Sequence, residues 1–314
     1  MKTAIVIPTY NRASCLAGAL RSALGQSYPD IRVIVIDDAS SDDTGKVVEP
    51  FLNDSRVSYV KLGKNVGTAL AKNLGIALSD CEAITFHDSD DEAERHKILL
   101  QTRAISLRGK ADEILDWEIL GYAPGSELAV DVVVGAHKFI KLDGSVFTIG
   151  KRVSLVDDFF PTIQSPSKTE GDWVLINSGL FRKSCFHRLG GYLDSVEEDR
   201  ELRNRLLASG HIFHFIEEPL LTKVETAVSL TTDGDTGYRG ERRRADREEV
   251  WKRNRVYRNG KWGRAAAEAG KVVVDFRAIE IEGIRNGGEL VVDEDFPMTA
   301  GSRDHLSEQL ARCL

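Results

Sequence analysis

Over roughly its first hundred residues the chain alternates short β-branched runs with helically spaced apolar positions, and that alternation leaves few folds open to it. Residues 4–7 read as a strand, and Leu16, Leu20, Ala23 and Leu24 then recur at helical spacing. A cluster of breakers at residues 25–29 ends that helix. Residues 31–36 are apolar apart from Arg32, as expected of a strand covered on both faces. Asp42, Asp43 and Thr44 offer a cap for a helix running to about residue 52. Residues 57–62 read as a third strand, 68–78 as a helix and 83–86 as a fourth strand. A β-α-β-α-β-α-β series predicts an α/β fold with a parallel, doubly wound sheet and right-handed crossovers.

The second half is less regular. Residues 130–135 and 137–142 read as strands around a hairpin near Asp143-Gly144, and residues 173–176 and 179–181 as further strands. Residues 197–209 read as a helix with Leu202, Leu206 and Leu207 on its apolar side. From about residue 233 a Gly/Asp-rich stretch leads to an Arg-rich helix over about 241–269. Strand-like residues 272–276 and 279–284 follow, and then a short terminal helix. The expected organisation is a domain over 1–230, divided into halves 1–105 and 106–230, with an extension over 231–314.

A formal net charge of −7 argues against duplex nucleic acid as the main partner, because neutralising phosphates needs a basic face. No apolar run approaches the roughly 20 residues of a spanning helix. The opening residues read as a strand and not as a secretory leader. Cys15, Cys81, Cys185 and Cys313 lie far apart without a C-x-x-C pair, which predicts free thiols in a reducing, cytoplasmic setting.

In an open parallel sheet, ligands bind beyond the carboxyl ends of the strands. The residues gathered there are Pro8-Thr9-Tyr10-Asn11-Arg12, Asp37-Asp38-Ala39-Ser40-Ser41-Asp42 and His87-Asp88-Ser89-Asp90-Asp91-Glu92. The first strand is not followed by G-x-G-x-x-G, and the chain has no G-x-x-x-x-G-K-[ST]; dinucleotide and P-loop enzymes are thereby disfavoured. Carboxylates repel a diphosphate directly, so their natural use beside one is to hold a hard divalent cation that bridges to it. Asp88 and Asp90 have the spacing for that. The other reading makes them a capping cluster for a helix beginning near Ala93. Asp233-Gly234-Asp235 repeats the short pattern in a Gly-rich loop and is read as solvated.

Taken together, Val6-Ile7-Pro8-Thr9-Tyr10-Asn11-Arg12 and Val35-Ile36-Asp37-Asp38-Ala39-Ser40-Ser41-Asp42-Asp43-Thr44 resemble the nucleotide-binding half of family-2 inverting glycosyltransferases of the GT-A fold. Asn65-Val66-Gly67, Ala71, Asn73 and Gly75 match the next block, and Phe86-His87-Asp88-Ser89-Asp90-Asp91 is similar to the family's D-x-D block. Asn177-Ser178-Gly179, Gly190-Gly191-Tyr192 and Glu198-Asp199-Arg200-Glu201-Leu202 continue the series in order. The resemblance implies a Rossmann-like nucleotide-binding half with a mostly parallel central sheet flanked by helices, followed here by an α+β extension. It implies transfer of a sugar from a nucleotide-diphosphate donor, a UDP-sugar by preference, in polysaccharide, glycoconjugate or glycosylated-metabolite synthesis. The acceptor hydroxyl would sit on a sugar, a lipid-linked carrier or a small molecule. Carried over by residue, it places Thr9, Asn11 and Asp38 around the base and ribose, with Pro8, Tyr10, Arg12, Asn65, Gly67 and Lys72 lining the donor. Asp88 and Ser89 would meet ribose or sugar, and Asp90 would ligate Mn²⁺ or Mg²⁺.

Inverting transfer is a single displacement in which the acceptor hydroxyl loses a proton as it attacks, and a carboxylate is the economical base. Asp199 is the first choice and Glu198 the second; the other reading makes both a first turn that complements the helix dipole. Many relatives carry Arg-x-His after this helix, whereas this chain has Lys223-Val224-Glu225-Thr226. Either Glu225 replaces the imidazole as a metal ligand, or the segment does not close over the donor. His211 and His214 are read as structural, and strand alternation turns His87 away from Asp88, so it is not assigned to the metal. Residues 233–240 are either a lid that brings Arg239, Arg242, Arg243 and Arg244 to the diphosphate, or the approach to a solvated helix with i,i+4 pairs. Trp251, Tyr257 and Trp262 would pack on the core, join copies in a homo-oligomer, stack on an acceptor sugar or make a peripheral membrane contact. Two rival readings are a sugar-nucleotide-forming nucleotidyltransferase, which would want a basic Gly-rich loop after the first strand, and a non-catalytic nucleotide-sugar-binding module.

Overall fold

The computed structural model describes residues 1–113, 122–150, 176–225, 235–237, 240–258, 263–286 and 290–314. In chain order the elements are β1 (Thr3–Thr9), α1 (Leu16–Leu24), β2 (Ile31–Asp37), α2 (Thr44–Val48), β3 (Val57–Leu62), α3 (Thr68–Ala77), β4 (Ala83–Phe86), β5 (Glu92–Ala93) and α4 (Lys97–Ile105). There follow β6 (Arg108–Lys110), β7 (Glu127–Ala129), β8 (Val132–Ile140), β9 (Val146–Ile149), β10 (Leu180–Arg182), α5 (Lys183–Leu189) and α6 (Glu198–Ala208). The last are β11 (Phe213–Val224), α7 (Glu241–Arg258), α8 (Arg264–Gly270), β12 (Ile281–Arg285) and α9 (Ser302–Cys313). They fall into two compact units. One comprises Met1–Leu99, Leu180–Gly191 and Val272–Leu314; the other comprises Leu100–Gly179 and Tyr192–Lys271.

The first unit is built on strands in the order β12-β3-β2-β1-β4-β10. β1 runs parallel to β2 and β4, and β2 parallel to β3. β10 and β12 join antiparallel at β4 and β3. The uninterrupted apolar runs of β1 and β2 are buried because helices cover the sheet, and Ile5, Ile7, Val33 and Val35 pack with Leu16, Leu20 and Ala23 of α1. A Cβ at Gly75 would stand 2.3 Å from Val6, so α3 seats on β1 only where a side chain is missing. The helix expected to run to about residue 52 is α2 followed by a 3₁₀ turn at Glu49–Asn53, with Pro50 at its start. The helix expected near residue 93 begins at Lys97. Residues 272–276 make isolated bridges, Gly190 to Val272 and Val274 to Met298, where a strand was expected.

In the second unit, β8 runs unbroken through Ala136, where two strands were expected, and turns at Gly144 (φ 82°) into β9. β11 lies parallel to β8 with register shifts between Ile216 and Leu221. Opposite them, a Cβ at Gly135 would meet Leu220 at 2.5 Å, so the glycine makes room for the bulged partner. α6 buries Leu202, Leu206 and Leu207 as its periodicity predicts. The single Arg-rich helix expected over 241–269 is two helices, with Gly263 (φ 61°) preceding α8. Residues 173–175, Thr226, Asp233, Gly234, Arg239 and Trp262 lie outside the described residues.

Candidate functional site

At the carboxyl ends of β1 and β2 the chain spends its polar side chains on stitching two loops together. Asn11 adopts φ 51°, a left-handed conformation that asparagine tolerates better than most residues. Its Oδ1 accepts the Ser41 amide at 2.9 Å, while its own amide donates to Ser40 Oγ at 2.9 Å. Asp42 accepts from the Thr44 hydroxyl at 2.5 Å and from the Ala13 amide at 3.1 Å. Burial works to raise the Asp42 pKa, but these hydrogen bonds outweigh it and hold the carboxyl below its ordinary value.

Two adjacent aspartates end β2 with different duties. Asp37 accepts the Ser40 amide at 2.8 Å and the Tyr59 hydroxyl at 2.5 Å, which makes it part of the turn. Asp38 grips the next loop, accepting the Val66 amide at 2.7 Å and the Gly67 amide at 2.9 Å, while Asn65 Nδ2 donates to its carbonyl at 3.2 Å. Burial raises the Asp38 pKa against the pull of those two amides. Gly67, at φ 88°, occupies a conformation that favours glycine. Asp38, Asn65 and Gly67 therefore form one cluster behind Thr9, whose carbonyl accepts the Asp38 amide at 2.8 Å. Thr9 is 3% exposed, and its hydroxyl has no hydrogen-bond partner among the described residues. A buried polar atom left so requires a water or a ligand to satisfy it.

β4 delivers the acidic loop to the same edge. His87 is buried and its Nε2 sits 2.9 Å from the Asp91 carbonyl, so the imidazole props the loop from behind. Ser89 and Asp91 are buried, Asp88 is half-buried, and the Asp90 side chain is 16% exposed with Arg12 Nη2 at 3.9 Å. The next helix begins at Lys97, so Asp88 and Asp90 lie too far upstream to cap its first turn. Lys72 is buried with its ammonium 5.9 Å from the centre of the Phe86 ring. Pro8 lies within β1, and Tyr10, 48% exposed, stands at the outer lip. Two carboxylates presenting hard oxygens, with a guanidinium beside one of them, suit a divalent cation that shares an anionic ligand.

Glu198 and Asp199 belong to the second unit, half-buried in the first turn of α6. Glu197 at the N-cap and Glu201 one turn on are buried, and arginines hold both. Glu225 follows β11; its amide donates to the Ile140 carbonyl at 2.8 Å and its Oε2 accepts the Leu142 amide at 3.0 Å, closing the β8–β9 turn. His211 is buried with Nδ1 3.2 Å from the Leu206 carbonyl.

Some motif residues prove to be packing devices. A Cβ at Gly191 would meet Asn73 Oδ1 at 2.1 Å, and one at Gly190 would meet the Val272 carbonyl at 1.6 Å. A feature the sequence did not suggest is the group His187, Asp293 and Asp295, whose ligand-type atoms lie within 4.8 Å of one another. It adjoins a groove of about 420 Å³ lined by Asp80, Glu82 and Lys183, at the amino end of β4 and so across the sheet from Asp88 and Asp90. Lys183 Nζ stands 2.8 Å from Asp293 Oδ2, so an ammonium already neutralises the carboxylate that a cation would need.

Residues 4–114 match the family model described as Glycosyl transferase family 2. GlyG of Streptococcus pneumoniae is 36% identical over 95 residues, 30% of this chain and 32% of that protein. A Campylobacter jejuni relative, GalNAc(5)-diNAcBac-PP-undecaprenol beta-1,3-glucosyltransferase, is 37% identical over 115 residues, 36% of this chain and 35% of its own. The matched stretch thus spans about a third of either relative's length. Among solved structures, the S. aureus TarS fragment 1–349 in complex with UDP-GlcNAc superposes with a TM-score of 0.54 at 18% identity, covering 85% of this chain and 70% of that one. The same fragment with UDP gives 0.51 at 18% identity over 72% and 61%. Residues 4–114 are thus similar to glycosyl transferase family 2, and the chain shares the GT-A fold of the glycosyltransferase structures it superposes on.

Proposed function

We propose that the chain is an inverting glycosyltransferase that moves a sugar from a UDP-sugar to an acceptor hydroxyl. The observation that carries this reading is the convergence of residues 9–12, 38–42 and 88–91 on one sheet edge, where the Thr9 hydroxyl is buried without a partner among the described residues. Further support comes from the relative whose name specifies a glucosyltransferase on an undecaprenol-linked glycan, and from the likeness to a fragment crystallised with UDP-GlcNAc. Donor binding falls to residues 1–105 and acceptor binding to 106–230. The Thr9 hydroxyl and Asn11 contact the base or ribose, and Asp38 keeps residues 65–67 in place beneath them. Pro8, Tyr10, Arg12, Lys72 and Ser89 line the donor.

Asp88 meets the ribose or sugar and Asp90 holds the metal, while the Glu225 carboxylate stays in the β8–β9 turn. Mn²⁺ or Mg²⁺ bound there would supply charge neutralisation to the departing diphosphate. Asp199, with Glu198 as the alternative, takes the proton from the attacking hydroxyl. Among the described residues no helix is long and apolar enough to cross a membrane. The acceptor we favour is a glycan or lipid-linked saccharide built at the cytoplasmic face.

The test is a thermal-shift series with UDP-GlcNAc, UDP-glucose, UDP-galactose and GDP-mannose, with and without Mn²⁺, followed by assays of nucleotide release. A bound donor raises the melting temperature by mass action. Asp90→Asn should raise the donor KM and abolish the Mn²⁺ dependence of the shift. Asp199→Asn should leave the shift intact and lower kcat about a hundredfold or more. No metal-dependent shift with any of the donors overturns the reading.

A further inference from the structure

The first turn of α6 carries a buried carboxylate on each side of Asp199. Glu197 receives Arg200 Nε at 2.8 Å, Arg247 Nη2 at 3.0 Å and Arg243 Nη1 at 3.2 Å. Glu201 is gripped by Arg205, with Nη2 at 2.9 Å and Nε at 3.1 Å, and approached by Arg253 at 3.7 Å. Arg243, Arg247 and Arg253 all belong to α7, and Asp246 of that helix accepts the Val196 amide at 2.8 Å. Arg243 Nε also donates to the Thr236 carbonyl at 2.5 Å. The side chain of Glu197 is 3% exposed and that of Arg243 10%, so this is no solvated charge ladder.

The arrangement is costly. Paired ions withdrawn from water seldom stabilise more than an apolar packing of the same volume. Acidic residues in a first turn are already favoured by the helix dipole and need no arginine for that. What guanidiniums at both ends of one turn do supply is fixed geometry, since each planar fork allows a carboxylate little freedom. We infer that Glu197, Arg243 and Arg247 are positioning residues for Asp199, and that α7 serves the proton-accepting carboxylate and not the donor phosphates. This rests on the reading of Asp199 as the general base.

The test uses the full chain carrying Glu197→Gln, Arg243→Ala, Arg247→Ala, Arg247→Lys, the pair Glu197→Gln with Arg247→Ala, and Asp199→Asn. Two quantities are read. One is amide hydrogen exchange over residues 198–202; the other is release of UDP from UDP-GlcNAc, or of nucleotide from the other donors named above. Glu197→Gln, Arg243→Ala and Arg247→Ala should each speed exchange and lower kcat about tenfold with the donor KM within about twofold, the split expected of an interaction needed only in the transition state. Because the two groups act as one, the pair should lose no more than the worse single variant, and Arg247→Lys, which keeps the charge but not the planar fork, should recover only part of kcat.

Unchanged kcat in folded Glu197→Gln and Arg247→Ala overturns the inference, as do additive losses in the pair. Full turnover by Asp199→Asn overturns the base assignment and the inference with it. If the unaltered chain releases nucleotide from none of the donors, the transferase reading falls and the inference with it, whatever the exchange data show.

Discussion

At the scale of single residues, the rim shows how little of a side chain's duty its identity discloses. Asp37 and Asp38 are indistinguishable in the sequence, yet one braces Tyr59 and the other holds the backbone of residues 66 and 67. The three acidic and polar strand ends were legible because strand periodicity fixes where each β-strand stops. Their partners were not, since Asp38 finds Val66 at a separation of 28 residues. Thr9→Val keeps the volume and removes the unpartnered hydroxyl; it should leave the melting temperature unchanged or higher and weaken UDP binding by calorimetry.

Lys97 gives a pH prediction. Its ammonium is buried, donates to Thr85 Oγ1 at 2.8 Å, and burial lowers its pKa from 10.5 to about 7. Between those values the unfolded chain holds a proton that the folded chain has released, so stability rises with pH through that window. Lys97→Met should flatten the rise in thermal unfolding measured from pH 7 to 10. Near pH 6 it should gain stability on the order of 3 kcal/mol.

At the scale of elements, β1 to β4 and their helices were readable because each is defined by its own local periodicity. β8 and β11 were not, because Gly135 and Leu220 explain each other only across the sheet. The arginines of α7 looked solvated for the same reason: Glu197 is 46 residues from Arg243. Gly190 and Gly191 entered the family resemblance as a motif, yet close packing accounts for them. Gly190 combines φ 80° with a Val272 carbonyl 1.6 Å from where a Cβ would stand. Gly190→Ala should therefore cost on the order of 3 kcal/mol, read as a lower urea midpoint at unchanged slope.

For the whole molecule, the surprise is where residues 272–314 go. The sequence suggested an appendage, and these residues instead complete the first unit. β12 pairs antiparallel with β3, Ser58 Oγ donates to the Asn286 carbonyl at 2.9 Å, and Asn286 Nδ2 donates to the Val57 carbonyl at 2.7 Å. Phe276 and Phe296 are fully enclosed beside each other. Deleting 272–314 would bare the β3 edge and open that cluster. The shortened chain should aggregate on heating and unfold at a lower temperature; an unchanged melting curve would contradict this. Because the first unit is assembled from three stretches separated by most of the second, a ribosome releases its earliest strands long before their last neighbour exists. The nascent half-sheet must wait for the rest of the chain, with an open flank that a chaperone has reason to guard.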